Sequence, residues 1–116
     1  MLVIEYIDDY RYNIFMDKIF KALSDKNRRK ILTLLKEKNL SVNELLINFD
    51  IGQATLSNHL SILKKANLVE CDVMGKQRIY RLNSDLLFAF AENMRRFVGK
   101  IDKSLVEEIA IRGQKV

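Results

Sequence analysis

The sequence lacks residues on which several classes of protein depend. It contains no proline, one cysteine and one histidine among 116 residues. Without proline, a low-complexity tract or an internal repeat, it does not resemble a proline-rich linker or a repeat array. Because Cys71 has no second cysteine in the chain, it cannot form an internal disulfide, which is compatible with a reducing compartment.

The same scarcity argues against a metal centre and against catalysis. His59 and Cys71 are single residues of their types, whereas a zinc site needs three or four nitrogen and sulfur ligands. The chain also has no glycine-rich phosphate loop, no HExxH motif and no serine, histidine and aspartate set with plausible roles. We therefore expect no catalytic residue, no metal and no cofactor, and we interpret Cys71 as a small apolar filler.

The residues that are present predict a small folded domain with a partner. Hydrophobic residues make up 48% of the chain and the net charge is +5. This length fits one domain, residues 1–116, and the apolar content suggests that a partner covers part of its surface. Residues 1–9 carry acids where a secretory signal would be basic, and their apolar run is too short to cross a membrane. We expect a cytoplasmic protein.

Apolar spacing and capping residues predict a series of helices. Asp25 can cap the second helix, and Ser41 with Glu44 forms a capping box before the third. Residues 50–52 form a tight connection between the third helix and the fourth. The predicted helices cover about residues 8–23, 26–38, 42–49 and 53–66.

The pattern then changes to a hairpin and a last helix. Residues 68–74 and 77–82 read as two strands joined by a Gly75-Lys76 turn. A long final helix is predicted from residue 84 to about 112. The fold class is therefore mainly α with a two-stranded β-hairpin, a winged helix-turn-helix: residues 41–66 form the helix-turn-helix and residues 68–82 the wing.

The fourth helix carries polar residues that suit the major groove of DNA. If its leucines face the core, short side chains that donate and accept hydrogen bonds lie on or beside its outer face. Lysines further along the helix and basic residues at the hairpin tip would contact phosphate. The predicted DNA contacts are Gln53, Thr55, Ser57, Asn58, His59, Lys64, Lys76, Gln77 and Arg78.

The positive charge is concentrated in the same stretch. Residues 53–81 contain five lysines and arginines against two acids, which accounts for three of the five net positive charges. Attraction to DNA phosphate requires such a local excess of cations. A hairpin that is basic only for solubility is the alternative interpretation.

Several segments together resemble the ArsR family of small prokaryotic repressors, and most of all its SdpR-like members, which lack a metal-binding motif. The resemblance covers roughly residues 15–98. It rests on the opening segment Phe20–Leu32, on Ser57-Asn58-His59-Leu60 and the step into the wing, and on Gly75-Lys76 with Tyr80-Arg81-Leu82. It implies a homodimer, DNA reading by the second helix of the motif, and wings on phosphate or the minor groove.

The chain departs from the family at the residues with which other members sense a metal ion or a change in redox state. Metal-sensing members carry paired cysteines in the helix before the turn, or acidic and histidine ligands on the last helix, and this chain has neither set. Dithiol redox members need two cysteines. No residue pattern identifies an effector.

The dimer interface is predicted on the first and last helices, residues 1–23 and 84–112. The apolar stripe of the last helix is wider than one small domain can cover, although it could also line a ligand pocket. The predicted interface residues are Phe15, Ile19, Leu87, Phe90, Met94, Phe97 and Ile101. A homodimeric repressor that binds an inverted repeat in double-stranded DNA is the main hypothesis. A winged-helix protein-interaction module without specific DNA reading is the alternative.

Overall fold

The computed structural model describes residues 9–114, with only the backbone described at residues 9, 10, 105, 106, 109 and 114. The chain divides into two compact units, Met1–Ser84 and Asp85–Val116. The prediction that residues 1–116 act as one domain stays a prediction. The start of the first predicted helix at residue 8 lies outside the described residues.

The elements follow the predicted order with two main differences, and α3 ends at Leu46 rather than at residue 49 as predicted. Helix α1 spans Asp9–Leu23 and α2 Lys26–Glu37, strand β1 spans Leu40–Ser41, α3 Val42–Leu46, α4 Gln53–Lys65, β2 Val69–Met74, β3 Gln77–Leu82, α5 Ser84–Ile101 and α6 Lys103–Gln114. The winged helix-turn-helix is confirmed, since α3, the connection, α4 and the β2–β3 hairpin follow one another as expected.

The first difference is a third strand. Within the described residues the sheet is three-stranded and antiparallel, in the order β1-β3-β2, with Leu40 opposite Tyr80 and Ser41 opposite Ile79. The prediction of a two-stranded hairpin was therefore incomplete. A strand of two residues has no detectable alternation in sequence, and only the neighbouring β3 gives its backbone hydrogen-bond partners.

The second difference is a break in the last helix. The single helix predicted to residue 112 was wrong, because α5 ends at Ile101 and α6 begins at Lys103. The carboxylate of Asp102 accepts hydrogen bonds from the backbone N–H and the hydroxyl of Ser104, at 3.0 and 2.7 Å. This capping chemistry starts a new helix and outweighs the continuous apolar stripe.

The predicted caps of α2 and α3 are in place. The Asp25 carboxylate accepts from the backbone N–H groups of Asn27 and Arg28, and the latter bond is the main reason that the pKa of Asp25 is lowered. The Ser41 hydroxyl accepts from the Glu44 N–H, while the Glu44 carboxylate accepts from the Ser41 N–H. The bond from the Ser41 N–H is the main reason that the pKa of Glu44 is lowered, and the Ser41 side chain adds to it. Both helix starts therefore have side-chain partners for their free backbone donors.

Helix α4 ends at Lys65. Two residues later, Asn67 adopts a left-handed conformation with φ of 61°. The N–H of Leu68 donates to the Leu63 carbonyl and the N–H of Asn67 to the Lys64 carbonyl, the pair of bonds that defines a Schellman motif. Asn67 then passes the chain to β2, and its carbonyl accepts from the Asn83 amide at 2.8 Å. This one backbone conformation redirects the chain from α4 into β2.

Substitutions at Asn67 are expected to separate backbone conformation from side-chain contacts. Left-handed backbone costs a residue with a Cβ roughly 1–2 kcal/mol but costs glycine little. Asn67→Ala should therefore lower the free energy of unfolding by about 1 kcal/mol, whereas Asn67→Gly should leave it unchanged or raise it. Urea denaturation measures both. Equal stability of the two variants would contradict this explanation, because both remove the same amide.

The core of Met1–Ser84 is formed by aliphatic residues from most of its elements. The largest fully buried side chains are Ile19, Ile31, Leu45, Leu56, Leu60, Leu63, Leu68 and Val69. Three of them lie on α4, so the inner face of this helix is fixed by the burial of its leucines. The opposite face is left to solvent.

Candidate nucleic-acid interface

Helix α4 presents a polar outer face. Leu56, His59, Leu60 and Leu63 point inward and are buried. At 100° per residue, the positions directly opposite are those of Ala54, Asn58, Ser61 and Lys65, and all four are exposed. Gln53, Ser57 and Lys64 lie along the side of the helix, and Thr55 lies on the other side, also exposed. The outer side of the helix thus consists mainly of short side chains that can donate and accept hydrogen bonds.

The wing and α4 line the same concave surface. One groove is lined by residues of the α3 start together with Gln53, Lys76, Gln77 and Arg78. A second groove continues along α4 and is lined by Val42, Gln53, Ser57, Ser61, Lys64, Arg78 and Tyr80. Six of the nine predicted DNA contacts therefore lie along one continuous surface between the helix and the hairpin.

The hairpin tip has the conformation that its sequence predicts. Gly75 has a φ of 65°, and no other loop residue of this hairpin has a positive φ, which is the pattern of a type II′ turn. Met74 and Gln77 are paired on either side of the turn. The tight turn places Lys76, Gln77 and Arg78 at the exposed end of the wing.

The two faces of the wing differ in charge. On one face Arg81 is paired with Glu70 at 2.6 Å and with Asp72 at 3.1 Å. On the other face Arg78 is paired across the strands with Val73, and Tyr80 with Cys71. Burial, and secondarily the Cys71 thiol, raise the pKa of Tyr80, while Arg78 opposes this. Both acids of the wing are therefore paired with Arg81, and neither lies on the face that carries Arg78.

The start of α4 has free backbone donors. Gly52 is the N-cap residue and supplies no side-chain hydrogen bond to the first turn. Gly52 has a φ of −74°, and a Cβ added there would meet nothing within 4 Å. The backbone conformation at this position therefore does not require glycine. Its effect is to leave the first backbone N–H groups of α4 without a side-chain partner and open to an anion.

The placement of His59 on the outer face was wrong. His59 is only 8% exposed and its Nδ1 lies 3.2 Å from Nη1 of Arg28. The helical phase set by Leu56, Leu60 and Leu63 puts position 59 among them, so this phase was available in the sequence. The same phase identifies Ser61, which was not among the predicted DNA contacts, as an outward residue beside Asn58.

The predicted interface residues have different degrees of exposure. Ile19 is fully buried in the core of its own chain, so its assignment to a dimer interface was wrong. Phe97 and Ile101 are exposed, at 54% and 70%. Phe15, Leu87, Phe90 and Met94 are partly covered. Leu105 and Ile109, which continue the stripe in the sequence, have side chains outside the described residues.

Neither a metal cluster nor a membrane span is found in the part of the chain that the structure describes. No group of three or more histidine, cysteine, aspartate or glutamate side chains is arranged there to hold a metal ion. No helix among those residues is both long and apolar enough to cross a bilayer.

Comparisons with known proteins agree with this geometry. Residues 25–70 match the family model described as "Bacterial regulatory protein, arsR family". The chain is 37% identical over 90 residues to the transcriptional repressor SdpR of Bacillus subtilis, an alignment that covers 78% of this chain and all of the relative. The chain belongs to the ArsR family. Among these regulators, the HTH-type transcriptional regulator Rv2034 of Mycobacterium tuberculosis is 37% identical over 82 residues, covering 70% of this chain and 76% of the relative.

A solved ArsR structure has the same fold. The ArsR-like transcriptional regulator from Rhodococcus sp. superposes with a TM-score of 0.71 at 27% identity, covering 85% of this chain and 93% of that protein. The ArsR membership shows a DNA-binding transcriptional regulator rather than an enzyme. The surface between α4 and the wing is the part of this ArsR protein whose chemistry suits DNA.

Proposed function

We propose that this protein represses transcription in the cytoplasm as a homodimer that binds an inverted-repeat operator. One observation carries the proposal: the polar outer side of α4 and the cationic tip of the wing line one continuous surface. Asparagine, glutamine and serine can bond base edges in the major groove, and lysine and arginine attract phosphate. Repression, rather than activation, is supported by the relative SdpR, which is named a transcriptional repressor.

In the proposed complex the roles divide between helix and wing. Asn58, Ser57 and Ser61 face base edges, with Thr55 and Gln53 at the margins of the helix. Lys64 and the wing residues Lys76, Gln77 and Arg78 contact the backbone. Two copies of α4 enter successive major grooves about 34 Å apart, so the half-sites are separated by one helical turn.

The dimer is proposed to form through α1 and α5. The supporting observation is an unusually apolar stripe on α5 that includes the exposed Phe97 and Ile101 and the partly covered Leu87, Phe90 and Met94. On α1, Phe15 is partly covered and Ile14 is 40% exposed. Exposed apolar residues gathered on one helix face mark an association surface.

The alternative of a protein-interaction module gains no support from α4. Such a module needs apolar anchors on the presented face, and the exposed residues of this helix are polar or charged apart from Ala54. The wing has two exposed apolar residues, Val73 and Met74, which are adjacent to its basic tip. We therefore retain DNA reading as the function.

Selection from a random duplex library tests the proposal without knowledge of the operator. The full chain should enrich an imperfect inverted repeat whose half-site centres are 10 to 10.5 base pairs apart. Its affinity for the selected duplex should exceed that for random DNA by about 10³-fold or more at the same salt concentration. Enrichment of no sequence, with equal binding to all duplexes, would refute sequence-specific reading.

A further inference from the structure

Arg28 is a buried arginine whose donors bind groups on two other helices. Its side chain is 8% exposed. Its Nε donates to the Ala22 carbonyl at 2.8 Å and its Nη2 to the Lys21 carbonyl at 2.9 Å, both in the last turn of α1. Its Nη1 lies 3.2 Å from Nδ1 of His59, in the middle of α4. The guanidinium thus joins the end of α1 to the reading helix.

The hydrogen bond assigns one tautomer to His59. Arginine can only donate hydrogen bonds, so Nδ1 must be the acceptor and the ring proton must lie on Nε2. The contact therefore joins an imidazole nitrogen to a guanidinium fork that is held at two other points. The Asp25 carboxylate adds electrostatic attraction to Arg28, while the three hydrogen-bond contacts of the guanidinium define its direction.

This bond differs in kind from the other contacts of the inner face of α4. Burial of the three leucines stabilises the helix in proportion to the buried area and has no preferred direction. A hydrogen bond weakens steeply as its angle departs from linear. In the described part of the chain, the His59 bond is the one side-chain hydrogen bond that ties α4 to the helices before it.

We propose that Arg28 and His59 are positioning residues for DNA recognition, because together they set the rotation of α4 about its own axis. Asn58, on the outer face, directly precedes His59. A helix has a radius of about 5 Å with its side chains, so a rotation of about 20° displaces an outer polar atom by almost 2 Å. That displacement exceeds the distance tolerance of a base contact. This inference rests on the proposed function, in which α4 reads base edges.

The test compares specificity rather than affinity alone. The double variant Arg28→Met/His59→Leu removes both partners and replaces them with apolar groups of similar size. The Lys21 carbonyl keeps its bonds from Ser24, and the Ala22 carbonyl loses its side-chain donor, so the variant should be less stable than the parent but folded. It should bind random duplex within about twofold of the parent, whereas its affinity for the selected operator should fall at least tenfold. An unchanged ratio of operator to random affinity would overturn the proposal.

A second pair of variants keeps the polarity and changes only the place of the acceptor. In His59→Asn the side-chain oxygen is attached at the same position as Nδ1, whereas in His59→Gln it lies one carbon further out. The asparagine variant should keep most of the specificity ratio and the glutamine variant should lose most of it. Equal ratios would overturn the proposal, even where the double variant does not fold.

One control separates failure of this inference from failure of the proposed function. If Asn58→Ala lowers the specificity ratio and the Arg28 and His59 variants do not, α4 reads DNA and the positioning role is wrong. If Asn58→Ala also leaves the ratio unchanged, α4 is not the reader and the inference fails with the function on which it rests.

Discussion

Replacing Asn58 by alanine is expected to lower the affinity for the operator by roughly 1–3 kcal/mol per half-site, while barely changing binding to random DNA. The reason is position: Asn58 lies directly opposite the buried leucines of α4 and is exposed. An amide at that place can bond a base edge but adds no charge. Fluorescence anisotropy with labelled operator and random duplexes, at one stated salt concentration, measures both affinities.

Arg78→Ala should change the affinities for operator and random DNA in a different way. It removes a cation from the groove-lining face of the wing, so it should weaken all duplexes about equally and reduce the salt slope by roughly one unit per lost phosphate contact. Arg81→Ala is the matched control, since it removes the same charge from a residue already paired with Glu70 and Asp72 on the other face. Uniform and equal losses for Asn58→Ala and Arg78→Ala would contradict the division between reading and anchoring.

Phe97→Asp is expected to dissociate the dimer. Phe97 is 54% exposed and lies within the apolar stripe of α5, so a charge there should leave the chain folded but oppose burial against a partner. Because a monomer loses the second half-site, operator binding should weaken by about 10²–10⁴-fold. Analytical ultracentrifugation at micromolar concentration measures the association, and anisotropy measures the binding.

Phe88→Asp is the control for this variant. Phe88 is 77% exposed but lies nine residues from Phe97, which is half a turn away around α5. The Phe88→Asp variant should therefore remain dimeric and bind the operator as tightly as the parent protein. A parent protein that is monomeric, or a Phe97→Asp variant that stays dimeric, would exclude the proposed interface.

Much of the fold follows from local patterns in the sequence. The helix caps are examples: Asp25, Ser41 and Glu44 form their hydrogen bonds with residues two or three positions away. Such caps can therefore be predicted from the sequence alone. The Gly75-Lys76 turn and the α4 leucines are equally local. The exposed polar residues of α4 follow from the same helical period, and an incorrect phase at His59 was the cause of the error there.

The sequence by itself determined the winged helix-turn-helix, the polar outer face of α4 and the basic tip of the wing, because each depends on interactions between residues close in the chain. Only the tertiary structure decided which residues are paired or buried by residues far away in the sequence. Strand β1 forms only because β3 lies beside it. Ile19 is buried in the core of its own chain and so has no surface left for an interface. The bond from Arg28 to His59 joins residues 31 positions apart. No local period encodes such a contact, since it forms only when the helices pack.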